Sequence, residues 1–180
     1  MKLGLSLAIT AMRSAGGGAA QAATGGTESV IEVGGVDYRV HILAPGQTLT
    51  VNTSISDPDY LIVAGGGAGG GSDFNIPQGG GGAGELLKRV TGEGATNNGS
   101  AITLSPGSYA VTGGLGGTQT PNSQGAEVTP GQNISFAAFT LAGGGQGSSR
   151  GDSSQDVNGG SGGGGGQSNA AGTSSTLEGG

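Results

Sequence analysis

The chain has 180 residues, a net charge of −6, 45 glycines, six prolines and no cysteine. The acidic balance argues against a nucleic-acid partner, which wants a basic face, and the lack of thiols excludes a disulfide framework or a thiolate metal site. Glycine at this level without a strict G-x-y period excludes collagen, and no apolar run approaches the roughly 20 residues that span a bilayer as a helix.

The first ten residues read MKLGLSLAIT. Leu3, Leu5, Leu7 and Ile9 alternate with small or polar residues, a period of two that predicts a strand. Residues 1–12 are read as a docking strand that adds to the sheet edge of a partner, on a flexible Gly/Ala/Ser/Thr-rich linker over 13–27. The competing reading is a secretory leader, with Lys2, an apolar stretch and Ala20-Gln21-Ala22 as the cleavage site. Arg13 and the glycines at 16–18 count against it.

Residues 28–64 read as a β domain. An apolar run at 29–33 meets Gly34-Gly35, a hairpin signal, and Tyr38, Val40 and Ile42 then alternate with Arg39 and His41. Pro45-Gly46 fits a type II turn, and a second alternation follows through Leu49 and Val51. Asp57-Pro58-Asp59 breaks the chain before the continuous apolar strand 60–64. The stretch 85–90 is helix-like and too short to stand alone.

Residues 65–180 form the glycine-rich part, with blocks at 65–71, 79–84, 143–145 and 159–166. Short β-type runs lie between them. Pro45-Gly46, Pro106-Gly107 and Pro130-Gly131 each open such a run. Fixing glycine is entropically expensive, so an ordered polyglycine stretch needs a compensating interaction. The extended helix with three residues per turn has no internal hydrogen bonds. Its N–H and C=O groups must therefore pair with parallel neighbours, which can come close only where no Cβ intervenes. The expected glycine core is Gly65, Gly66, Gly67, Gly69, Gly70, Gly79, Gly80, Gly81, Gly82, Gly143, Gly144 and Gly145. The fold class that follows is mostly β: a short antiparallel sandwich or sheet module, then glycine-rich β and polyglycine II segments, with almost no helix.

Motifs of catalysis are weak. Gly65, Gly67 and Gly70 match G-x-G-x-x-G, but the helix that this fingerprint needs is replaced by more glycine and Pro77. Asp57 and Asp59 flank a proline and read as a turn. His41 is the only histidine, and no Ser or Thr has a basic partner of the usual kind. The acids and amides of 152–165 miss the bidentate Glu of a calcium loop, and Arg150-Gly151-Asp152 reads as coincidence. No enzyme, no cofactor and no metal site is expected.

Five blocks in this order, YRVHI (38–42), YLIVAGGG (60–67), GGGGAGELL (79–87), ITLSPGSYAVTGGLGG (102–117) and SFAAFTLAGGGQG (135–147), resemble the glycine-rich domains of bacteriophage tail-fibre and virion surface proteins of marine-phage type. The resemblance implies a non-enzymatic virion component at the particle surface. Its polyglycine helices would form a hydrogen-bonded stack, with loops that contact a host glycan or outer-membrane receptor. It also implies capsid or tail partners, held through residues 1–12, and a homo-oligomer with a trimer as first expectation. Other classes are a decoration protein without receptor role, an ice-binding bundle, and a matrix or filament subunit. A thermal-hysteresis assay separates the ice-binding class.

Overall fold

The computed structural model describes residues 8–13 (backbone), 21–71, 78–94, 99–119, 128–148 and 158–165. The described part is mostly β, in small antiparallel sheets, with no helix. The largest sheet has the strand order β3 (Thr27–Val33), β4 (Val36–Leu43), β1 (Ala8–Arg13), β7 (Asp59–Val63) and β8 (Leu86–Arg89). A second sheet orders β10 (Gly107–Ala110), β5 (Thr48–Val51) and β2 (Ala23–Thr24). A third orders β11 (Thr112–Gly113), β12 (Ile134–Phe136) and β13 (Phe139–Leu141), and β6 (Ile55–Ser56) pairs with β9 (Thr103–Leu104).

The turn signals act as their chemistry dictates. Gly34 and Gly35 both have positive φ, 61° and 79°, as a two-residue hairpin that matches the twist of its strands requires. Gly46 sits at φ 84°, and the Gln47 amide closes the type II turn on the Ala44 carbonyl at 3.0 Å.

One core gathers apolar residues from most of the described chain: Ala23, Leu43, Leu49, Val51, Tyr60, Ile62, Leu104, Val111, Ile134, Phe136 and Leu141. Tyr60 and Phe139 rings meet at 5.0 Å. Burial at this core pushes the Tyr60 hydroxyl pKa up, and the hydroxyl donates to the Ser100 carbonyl at 2.9 Å.

Three sequence expectations change. Ile9 belongs to β1, which lies in the middle of the chain's own sheet: Ile9 stands opposite Ile42 of β4 and Leu61 of β7. Strand addition does occur, but between neighbours within the chain that satisfy both edges of β1. Leu3, Leu5 and Leu7 lie outside the described residues. The span read as linker holds β2 and the first residue of β3, because Ala23 has an apolar site to fill at 1% exposure. The helix-like stretch is strand β8. Pairing with β7 over four rungs outweighs helix propensity, and Leu87 packs against the core.

The alternation in β4 is inverted relative to a sheet with one wet face. His41 and Leu43 point inward, both fully buried, while Tyr38, Val40 and Ile42 lie on the opposite face, where Val40 is also buried and Tyr38 and Ile42 are half-buried. The register carries that outer face across to Ile31 and Val33 on one side and to Leu61, Val63 and Leu86 on the other. His41 is held by its Nδ1 against the Gly25 carbonyl at 2.9 Å.

Candidate functional site

The strands continue directly into glycine-rich extended segments. We label these g1 (64–71, after β7), g2 (78–85, before β8), g3 (114–119, after β11), g4 (128–133, before β12), g5 (142–148, after β13) and g6 (158–165). Backbone hydrogen bonds join them laterally, and the bonds recur every third residue.

In g1, the amides of Ala64, Gly67 and Gly70 donate to the carbonyls of Glu85, Gly82 and Gly79 in g2 at 2.9, 2.8 and 2.8 Å. The amides of Gly65 and Ala68, one residue on, donate to Gln132 and Thr129 of g4 at 3.3 and 3.2 Å. The Gly65 and Ala68 carbonyls accept from Gly144 and Gly147 of g5, both at 2.8 Å, and the Gly66 carbonyl accepts from Gly117 of g3 at 2.8 Å. Four different segments thus surround g1. The same rule runs g2 into g5, through Gly79, Gly82 and Glu85 to Ser148, Gly145 and Ala142. It also runs g6 into g2, through Ser161 and Gly164 to Ala83 and Gly80. Traced through all its bonds, the network is two packed layers, g3-g1-g2 over g4-g5-g6, with g1 and g5 in the middle.

A period of three with lateral bonding is that of the polyglycine II helix. None of the glycines in g1, g2, g5 or g6 has positive φ, so this backbone is open to any residue. Glycine is needed for close approach instead. A Cβ on Gly67 would stand under 3.0 Å from the Gly145 and Gly144 carbonyl oxygens, and one on Gly144 would meet the Gly82 carbonyl as closely. Gly80 faces outward, where a Cβ meets nothing within 4 Å.

Where strands turn into glycine helices, side chains complete the bonding. Glu85 Oε2 accepts from the Ala142 amide at 2.6 Å, and Asn133 Oδ1 from the Gly143 amide at 2.9 Å. The structure therefore brings together the expected glycines 65–67, 69–70, 79–82 and 143–145 in one bundle. It adds g3 and g4, which the glycine blocks do not reveal. Their signal is the small-residue spacing around the Pro-Gly repeat: Gly131 lies against Gly65, and Gly117 against Thr129.

Gly71 and Gln78 end g1 and begin g2 at one pole of the bundle. Gln119 and Val128 bridge at the same pole, where Gln119 Nε2 reaches the Gly70 carbonyl at 3.2 Å. Ser148 and Gly164, bonded to each other at 3.1 Å, lie there too. The connections 72–77 and 120–127, and the chain after 148 and after 165, all depart from this tip. Of the calcium-loop register at 154–165, residues 154–157 lie outside the described residues and 158–165 form g6 of the bundle, while Arg150-Gly151-Asp152 lies wholly outside them.

The polar residues weighed for catalysis have structural partners. Arg89 clamps Asp57 with Nε at 2.9 Å and Nη2 at 2.8 Å. That hydrogen bond holds the Asp57 carboxyl below the usual carboxylate range. Asp59 Oδ1 accepts from the Thr91 amide at 2.6 Å and its hydroxyl at 2.8 Å. The N–H groups of Gly67 and Gly70, which a dinucleotide site would aim at a pyrophosphate, are committed to the bundle. Among the described residues no group of three or more His, Cys, Asp or Glu comes together to hold a metal ion.

A small β core carrying a laterally hydrogen-bonded glycine bundle defines the class. The chain belongs to the glycine-rich domain family, whose model matches residues 42–180. No curated protein and no solved structure matches the chain.

Proposed function

We propose that this protein is a non-enzymatic structural protein of a phage or phage-like virion, a surface fibre or spike whose glycine bundle presents host-contacting segments. The observation that carries the reading is the polarity of the bundle: the connections 72–77 and 120–127 join their helices at one pole, 149–157 leaves there and rejoins at the strand end, where Gly160 bonds Gly143, and the strand core lies at that other end. Connections that leave a rigid scaffold at one end can vary without disturbing it. Their composition (Asn, Gln, Ser, Thr, Asp) suits hydrogen bonding to glycans or outer-membrane components. The strand core is the end turned toward capsid or tail proteins, and a homo-oligomer, with a trimer first, supplies apolar cover for exposed residues of the large sheet's outer face such as Leu86.

The test uses the fluorescently labelled full chain on a panel of bacterial cells and their purified outer membranes. A variant with 72–77 and 120–127 replaced by Gly/Ser of equal length is run beside it. Binding to a subset of surfaces, lost in the variant at unchanged melting temperature, is the expected result. Binding to none of the panel, or binding that survives the exchange, contradicts the receptor role. If antibodies to the chain still decorate intact particles in that case, the decoration reading stands.

A further inference from the structure

The β3–β4 hairpin reaches past the rest of its sheet. Among the described residues, strand β1 covers β4 from Leu43 back to Tyr38, and the last rungs, Glu32 with Asp37 and Val33 with Val36, form a two-stranded arm. The arm points away from the glycine bundle, because β7 runs from Asp59 at the arm end to Val63 at the bundle end. All seven residues of β3 are exposed, and β3 is the outer strand of the sheet, with one edge unpaired among the described residues. Val30, Ile31 and Val33 are 55%, 45% and 57% exposed. A long exposed apolar edge is what proteins ordinarily blunt with lysine, proline or a bulge, and none of these is present in 27–33.

The charges say what would cover it. Glu32 and Asp37 stand directly opposite each other and so share a face. Like charges in that relation repel, and neither has a cationic partner among the described residues. The neighbouring acid, Glu28, is already engaged by Arg39 at 3.5 Å and by the Gly25 amide at 3.0 Å. A second copy is a poor occupant. Pairing β3 antiparallel to itself along its full length sets Glu28 against Glu32 of the copy twice, between chains that each carry −6. A bound cation is also poorly served, since Glu32 and Asp37 offer only two carboxylates.

We infer that the free edge of β3 is the receptor for an extended strand of a different protein, one that alternates basic with apolar residues. The basic side chains lie over Glu32 and Asp37, and the apolar ones over Ile31 and Val33. Backbone pairing supplies the contact and the alternate side chains the choice of partner. The role expected from the sequence is thereby complemented: residues 8–13 stay in the chain's own sheet, and the chain offers an edge. The arm precedes the family match, which begins at residue 42, and the inference holds whatever the bundle tip contacts.

The test titrates the isotopically labelled full chain with two hexapeptides, one alternating Lys and Val and one alternating Glu and Val. The Lys peptide should shift amides of Thr27–Val33 and slow exchange of the edge amides by about tenfold, with an effect that weakens in salt. The Glu peptide should not. A Glu32→Lys/Asp37→Lys variant, exposed at both sites and checked by its melting curve, should reverse the preference. No shift with either peptide, equal shifts with both, or edge amides already protected in a dimer of the chain alone would overturn the inference. Calcium chloride that shifts Glu32 and Asp37 and blocks the Lys peptide would overturn it in favour of a cation.

Discussion

Replacing Gly67 by Ala tests whether the bundle depends on missing side chains. The added methyl lands under 3.0 Å from two carbonyl oxygens of g5. These are backbone atoms fixed by their own hydrogen bonds, so neither can rotate away. Relief requires g1 and g5 to separate, which stretches the bonds from Gly144 to Gly65 and from Gly147 to Ala68, both 2.8 Å. Overpacking of this kind costs about 1–3 kcal/mol, and each weakened internal hydrogen bond adds about 1 kcal/mol. A loss of about 3 kcal/mol lowers the melting temperature of a chain this size by about 6–12 °C. Gly80→Ala is the matched control. Its Cβ meets nothing and its φ is not positive, so the substitution mainly restricts the unfolded chain and stabilises by about 0.4–1 kcal/mol. Thermal unfolding followed by circular dichroism, with urea midpoints as a check, reads both. Equal shifts for the two variants, or a neutral Gly67→Ala, would refute the close-approach argument.

Asp57→Asn tests the clamp by pH. Its carboxyl pKa is depressed in the folded state by Arg89, so its stabilisation is present above the ordinary carboxylate pKa of about 3.9 and is lost as pH falls through the lower folded value. The drop in melting temperature between neutral and strongly acid solution should be smaller in the Asn variant than in the parent; equal drops would remove Asp57 from the account. Ile134→Ala, at a site with 0% exposure, should cost about 2–5 kcal/mol in urea unfolding and loosen the bundle with the core, because β12 continues g4. Asn133→Ala removes the acceptor of the Gly143 amide and should cost about 1 kcal/mol, with faster exchange at Gly143 than at Gly82.

Much of the fold is legible in the sequence where local chemistry decides. Gly34-Gly35 and Pro45-Gly46 are turns because their backbone angles demand glycine, and Leu49 and Val51 face the core as their alternation says. The glycine blocks identify g1, g2 and the beginning of g5. What is not legible is set by distant partners. Residues 8–13 fit a partner's sheet edge as well as their own; the choice depends on β4 and β7 both having a free side there. Leu87 has helical neighbours in sequence but a strand beside it in space. In β4, period-two alternation locates a strand without saying which face is wet, and here Tyr38, Val40 and Ile42 turn away from the main core. Segments g3 and g4 contain Leu115, Thr129, Pro130 and Gln132. Their side chains fit because only every third position must be bare, a pattern too sparse to stand out from composition.

Residue-resolved amide hydrogen exchange of the full chain tests the central claim, that lateral backbone bonding with a three-residue period holds the glycine-rich half together. The account predicts slow exchange at Gly67, Gly70, Gly82, Gly144, Gly147 and Gly164, whose amides are donors in the network, and fast exchange at outward Gly69 and Gly80 between them. Uniformly fast exchange across 65–71, 79–84 and 143–148, with the core strands still protected, would contradict it.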